Sequence, residues 1–121
     1  MVKKLISFGL LISMLVVGAD GALAAGQESK SVQGTGEITV NGIGQYGRWT
    51  IQTGVNGGDI QGLLYEDCGN GIKRLDEMNT GGVYVFDQLS NNAYMQFGCK
   101  YTLDFREHRG TGGKGFIRNW N

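Results

Sequence analysis

Neither sign of charge is in excess: 11 Lys+Arg stand against 11 Asp+Glu in 121 residues. That balance removes the compositional ground for a nucleic-acid partner, and none is expected. Proline is absent, and His108 is the only histidine. Cysteine occurs twice, at 68 and 99, with no CxxC pair. No metal site is implied, since such sites draw on clustered Cys and His ligands, and no cofactor is implied either. Nothing reaches the roughly 20 apolar residues that a bilayer-crossing helix needs. Glycine, by contrast, is abundant, with 22 residues against a norm of about 7 %. It lacks the every-third-residue period of collagen. With 40 % hydrophobic residues the chain has enough for a core and too many for disorder. Its length sets a ceiling of one domain.

Residues 1–24 read as a signal peptide that is cleaved. Lys3 and Lys4 give a basic start, an apolar run follows from Leu5 to Val17, and Ala22-Leu23-Ala24 offers a small-x-small cleavage site. The expected mature protein is therefore secreted, extracellular or periplasmic, and has no transmembrane segment. Its start, 25–35, is polar and aperiodic and reads as a flexible N-terminal lead. The folded domain is expected over 36–121.

Export places Cys68 and Cys99 where disulfides persist, and two cysteines allow one intramolecular pairing. Closing a loop of that size is worth roughly 3.5–4 kcal/mol in the chain-entropy model.

Alternation of period 2 dominates the mature region. Its clearest instance is Ala93 to Arg106, where Ala93, Met95, Phe97, Cys99, Tyr101, Leu103 and Phe105 share one face. This predicts a long strand, wet on one side and bent or bulged at Gly98. Further strands are expected at Gly36–Val40, Tyr46–Thr53, Ile60–Glu66, Ile72–Leu75, Val83–Gln88 and Phe116–Trp120. Asn-Gly and Gly-Gly pairs fill the gaps and suit turns, because Gly and Asn accept positive φ. The stretch Ile72–Asn79 is the one place with helical character. Trp49, Phe86, Phe97, Phe105 and Phe116 are expected in the core. The fold class is thus all-β, a small antiparallel β-sandwich or barrel of about seven strands with one disulfide.

Candidate chemistry gathers near the C-terminus. Residues 100–121 hold five basic and two acidic groups, a local charge of +3 on an otherwise acidic body. Arg106, His108, Arg109, Lys114, Arg118 and Trp120 are the candidate binding residues of a basic C-terminal hairpin that engages an extracellular partner: an anionic envelope surface, a glycan or a protein. Glu107 and His108 would suit a small phosphodiester-cleaving, ribonuclease-like toxin. Adjacent strand residues point to opposite faces, however, so the pair would need help from another strand. Gly110–Gly115 is no phosphate loop, since neither Ser nor Thr follows Lys114. The acidic residues Asp59, Glu66, Asp67, Asp76, Glu77 and Asp87 show no calcium-binding spacing.

The run Gly44-Gln45-Tyr46-Gly47-Arg48-Trp49 is similar to the glycine- and aromatic-rich strands of small secreted β-sandwich bacteriocins. That likeness covers six residues and assigns no membership. The expected function is that of a secreted binding protein, bacteriocin-like or otherwise antimicrobial, that acts without catalysis. The alternatives are the ribonuclease-like toxin and a structural subunit that assembles through exposed strand edges.

Overall fold

The computed structural model describes residues 25–121; the expected signal peptide, 1–24, lies outside the described residues. Eight strands follow one another: β1 (Ser29–Gln33), β2 (Gly36–Asn41), β3 (Gln45–Gln52), β4 (Gly57–Asp67), β5 (Ile72–Val83), β6 (Gln88–Met95), β7 (Lys100–Arg109) and β8 (Lys114–Arg118). They form two four-stranded antiparallel sheets. Sheet I has the order β1-β8-β3-β6 and sheet II the order β2-β7-β4-β5. Only β4 and β5 are joined within a sheet; every other connection carries the chain from one sheet to the other. No helix among the described residues is long and apolar enough to cross a membrane.

Both sheets feed one core. Sheet I contributes Trp49, Ile51, Met95 and Ile117; sheet II contributes Val40, Ile60, Leu64, Tyr101, Leu103 and Phe105. These residues recur at alternate positions, as a strand with one dry face requires. The sandwich leaves little room between its layers. A Cβ on Gly62 would press on the side chains of Ile51 and Trp49 in the opposite sheet.

Several sequence-based expectations are corrected. The supposed flexible lead contains β1, which pairs with β8 from Ser29↔Arg118 to Gln33↔Lys114. Buried Asn119 anchors its start: the side-chain oxygen accepts from Glu28 N–H at 2.8 Å, and the amide donates to the carbonyls of Gly26 and Asn41. The long strand predicted from Ala93 is two strands. At 96–99 the chain turns through Gly98, with φ +90°, and leaves sheet I for sheet II. The dry parity survives this corner in Met95, Cys99, Tyr101, Leu103 and Phe105, but Phe97 stands 84 % exposed at its apex.

Of the other expected core aromatics, Trp49 and Phe105 are buried, Phe116 is half-buried and Phe86 is exposed. Residues 72–79 are strand, not helix, because they pair with β4 along their length. Ladder hydrogen bonds to β4 outweigh weak helical propensity. Val83–Gln88 is mostly a connection, with β5 ending where that strand was expected to begin.

Cys68 and Cys99 form the disulfide. It ties the end of β4 to the start of β7, next to the last ladder pair Asp67↔Lys100. Behind it Tyr101 O–H donates to buried Glu66 at 2.6 Å and accepts from Gln96 N–H at 2.8 Å. Burial, then this bond to Glu66, pushes the Tyr101 phenol up to about 12. Glu66 also meets Lys73 at 3.5 Å. Among the described residues the one group of three potential metal ligands is Glu66, Cys68 and Cys99, and its two sulfurs are committed to the disulfide.

Candidate functional site

β7 and β8 belong to different sheets, so the C-terminal cations do not share a hairpin. The bend through Gly110 and Gly112, both at positive φ, carries the chain across the end of the sandwich. Arg106 and His108 therefore face outward from sheet II, while Lys114 and Arg118 face outward from sheet I. Arg109 is exposed at the end of β7, with Asp59 as its ladder partner.

On sheet II the charges answer one another. Arg106 binds Asp104 through Nε and Nη2, at 3.2 and 2.9 Å, and that carboxylate holds its guanidinium more firmly protonated. The Arg106 row continues through Gln61 to Asn79. Gln61 Nε2 and Asn79 Nδ2 both donate to Glu77. These two bonds, Asn79 first, lower the Glu77 carboxyl below its ordinary value. Arg74 lies 3.6 Å from the same carboxylate. A groove of about 580 Å³ crosses this face between Glu37, Tyr65, Asp67, Lys100 and Asp104. Its charges are mixed, and Arg106 and Asp104 are spent on each other.

His108 and Glu107 part company. The ladder shifts at this point, Asp59 facing Arg109 and Ile60 facing Glu107, which leaves His108 as the extra residue of a bulge. His108 Nε2 is 3.1 Å from Gln61 Oε1 on the outer face. The Glu107 carboxylate accepts from Gly113 N–H at 2.8 Å, toward the neighbouring bend. The two groups do not converge on a common point.

Sheet I presents a different surface. Its outward residues fall in rows across all four strands: Ser29–Arg118–Arg48–Asn92, Ser31–Phe116–Thr50–Ser90 and Gln33–Lys114–Gln52–Gln88. Not one carboxylate occurs in them. Beyond the first row Tyr46 and Tyr94 meet edge to face, with centroids 5.3 Å apart. Arg118 is laid over the ring of Trp120, 4.1 Å from its centroid, and donates to the Trp120 carbonyl. This stacking fixes the guanidinium in place. Thr50 and Ser90 share a 2.7 Å hydrogen bond across β3 and β6. A shallow groove of about 350 Å³ runs between Arg48, Thr50, Gln52, Gln88, Ser90 and Arg118. Among the described residues neither Arg48 nor Lys114 has a carboxylate within ion-pair distance.

Three of the residues singled out from the sequence, Lys114, Arg118 and Trp120, thus come together on one face, and Arg106, His108 and Arg109 lie elsewhere. Arg48, Gln52, Gln88 and Ser90 escaped notice. Alternation along Gln45–Gln52 already placed Arg48 with Tyr46 and Thr50 on a wet side. Nothing local said that β8 would lie beside it.

No protein-family model matches the chain, and comparison with curated proteins and with solved structures returned no match.

Proposed function

We propose that the protein is a secreted binding protein whose outer sheet I face holds an anionic polymer of the cell envelope, such as an acidic glycan. One observation carries this reading: Arg48, Lys114 and Arg118 occupy a four-stranded face whose rows contain no carboxylate. Like charges gathered without counter-charge cost self-repulsion, and a polyanion relieves it. The remaining groups suit a sugar chain. Hydroxyls and amides from Thr50, Ser90, Gln52 and Gln88 can hydrogen-bond to ring hydroxyls, and the aromatic rings of Tyr46, Tyr94 and Trp120 can stack on sugar faces. Two arginines are matched to carboxylates or phosphates because the guanidinium fork offers paired donors. An antimicrobial role would follow if the polymer belongs to a competitor's envelope. The separation of Glu107 from His108 offers the ribonuclease-like alternative no support.

The test uses polygalacturonate and polyglycerol phosphate as probes in low salt. Binding is expected to one or both and to weaken steeply as salt rises, since the attraction is screened beyond about 10 Å at 0.1 M. Arg48→Gln combined with Arg118→Gln should reduce affinity at least tenfold, while Arg106→Gln and His108→Ala leave it within twofold. Affinity unchanged in the double variant overturns the proposal.

A further inference from the structure

Along the strands, as distinct from across them, the sheet I face has an order that its charge does not require. The outward positions of β8 are Lys114, Phe116 and Arg118, and Trp120 is the next residue of the same parity. Cation and aromatic therefore alternate twice. The neighbouring strands keep step. Lys114 shares its row with the amides of Gln33, Gln52 and Gln88, and Phe116 shares its row with the hydroxyls of Ser31, Thr50 and Ser90. Arg118 lies opposite Arg48, and beyond them Tyr46 lies opposite Tyr94. The face is thus charged, aromatic, charged, aromatic, row by row.

Successive rows are two residues apart, about 7 Å, so the two charged rows stand about 13 Å apart and the four rows span about 20 Å. The shallow groove crosses three of the rows, from Arg48 and Arg118 past Phe116 to Gln52 and Gln88. Its length follows the strands. Phe116 is half-buried and lines this groove, with no cation in its own row. A ligand lying across the strands would meet Arg118 and Arg48 side by side, and only Ser29 and Asn92 to either side of them.

Resting on the reading of this face as a polyanion surface, we infer that its ligand is a glycan in which acidic and uncharged pyranoses alternate, laid along β8. Carboxylates on every second sugar meet the charged rows, one at Arg48 and Arg118 and the next at Lys114. The uncharged sugar between them sets its C–H face on Phe116 and exchanges hydrogen bonds with the hydroxyls of that row. A polymer charged at every sugar places a carboxylate over Phe116 instead. There the ring face is itself negative and no donor of positive charge offsets the lost water.

The test sets hyaluronan, whose uronate alternates with an uncharged sugar, against polygalacturonate, which is charged at every sugar, at equal uronate concentration in low salt. Charge density alone favours polygalacturonate. The row order predicts the reverse, with hyaluronan bound at least fivefold tighter. Among hyaluronan oligosaccharides, affinity should climb at least tenfold from disaccharide to tetrasaccharide and then level off, since the rows are filled. Phe116→Thr should erase the preference while leaving polygalacturonate binding within twofold, and Lys114→Gln should flatten the climb with length. Tyr46→Ser, in the other aromatic row, should weaken the preference too and serves if Phe116→Thr melts early. Polygalacturonate or polyglycerol phosphate bound more tightly than hyaluronan overturns the alternation while the polyanion reading stands. A preference that survives both aromatic substitutions overturns it as well. Binding of none of the three polymers overturns both.

Discussion

Tyr101 is the residue on which a pH dependence hangs. Its phenol is fully buried, donates to Glu66, and is held up to about 12 from an ordinary 10.0. The unfolded chain releases that proton first, so the neutral phenol favours the fold below pH 10. This contribution fades as pH rises from 10 towards 12, by something on the order of 2 kcal/mol. An absorbance titration of the intact protein should show one tyrosine ionising late. Tyr101→Phe should abolish that late phase and flatten the loss of stability over the same window. A Tyr101→Phe protein that loses stability as steeply as the parent would break the link. The alternation around Cys99 placed this side chain on the dry face in advance. Its partner Glu66 could not be foreseen, because nothing in a strand's own period says which carboxylate a neighbouring strand will bring beneath it.

Elements were legible wherever their signal was local. Alternation located most of β2, β3, β4 and β7, and glycine-rich turns located their ends. Two failures share a cause. β1 looks like a polar leader by itself, and becomes a strand because β8 and Asn119 supply its hydrogen bonds from the far end of the chain. β6 and β7 look like one strand because the 96–99 corner preserves parity, so the apolar period runs on unbroken while the chain changes sheets. The disulfide sits at that corner and locks it to the end of β4. Replacing both cysteines by alanine should cost roughly 3.5–4 kcal/mol in denaturant unfolding, through a less constrained unfolded chain. A cost below about 1 kcal/mol would mean that the ladder β4–β7 holds the corner unaided.

At the scale of the molecule, the candidate face is a product of topology. The excess of positive charge in the last 22 residues is plain from composition, yet the fold divides it. Arg106 goes to a face where Asp104 neutralises it, whereas Lys114 and Arg118 go to one where Arg48 adds to them. Charge counted along a chain thus overstates a patch when the chain changes layers at a bend, and misses members that arrive from distant strands. The connection from β5 to β6 was hidden for a related reason. Tyr84–Phe86 has strand-like composition, and only the position of the β5 terminus at Val83 shows that these three side chains have no sheet to lie in.

Asn119 clasps Gly26 and Glu28, so the two extremities of the body are neighbours. Spliced through a short glycine-serine bridge, the polypeptide becomes a ring that can be cut open elsewhere. A circular permutant that starts at Gly112, in the bend between β7 and β8, should keep the strand pairings and a melting temperature within several degrees of the parent. If it does not fold, the clasp is a late seal on a structure that depends on its original order of assembly.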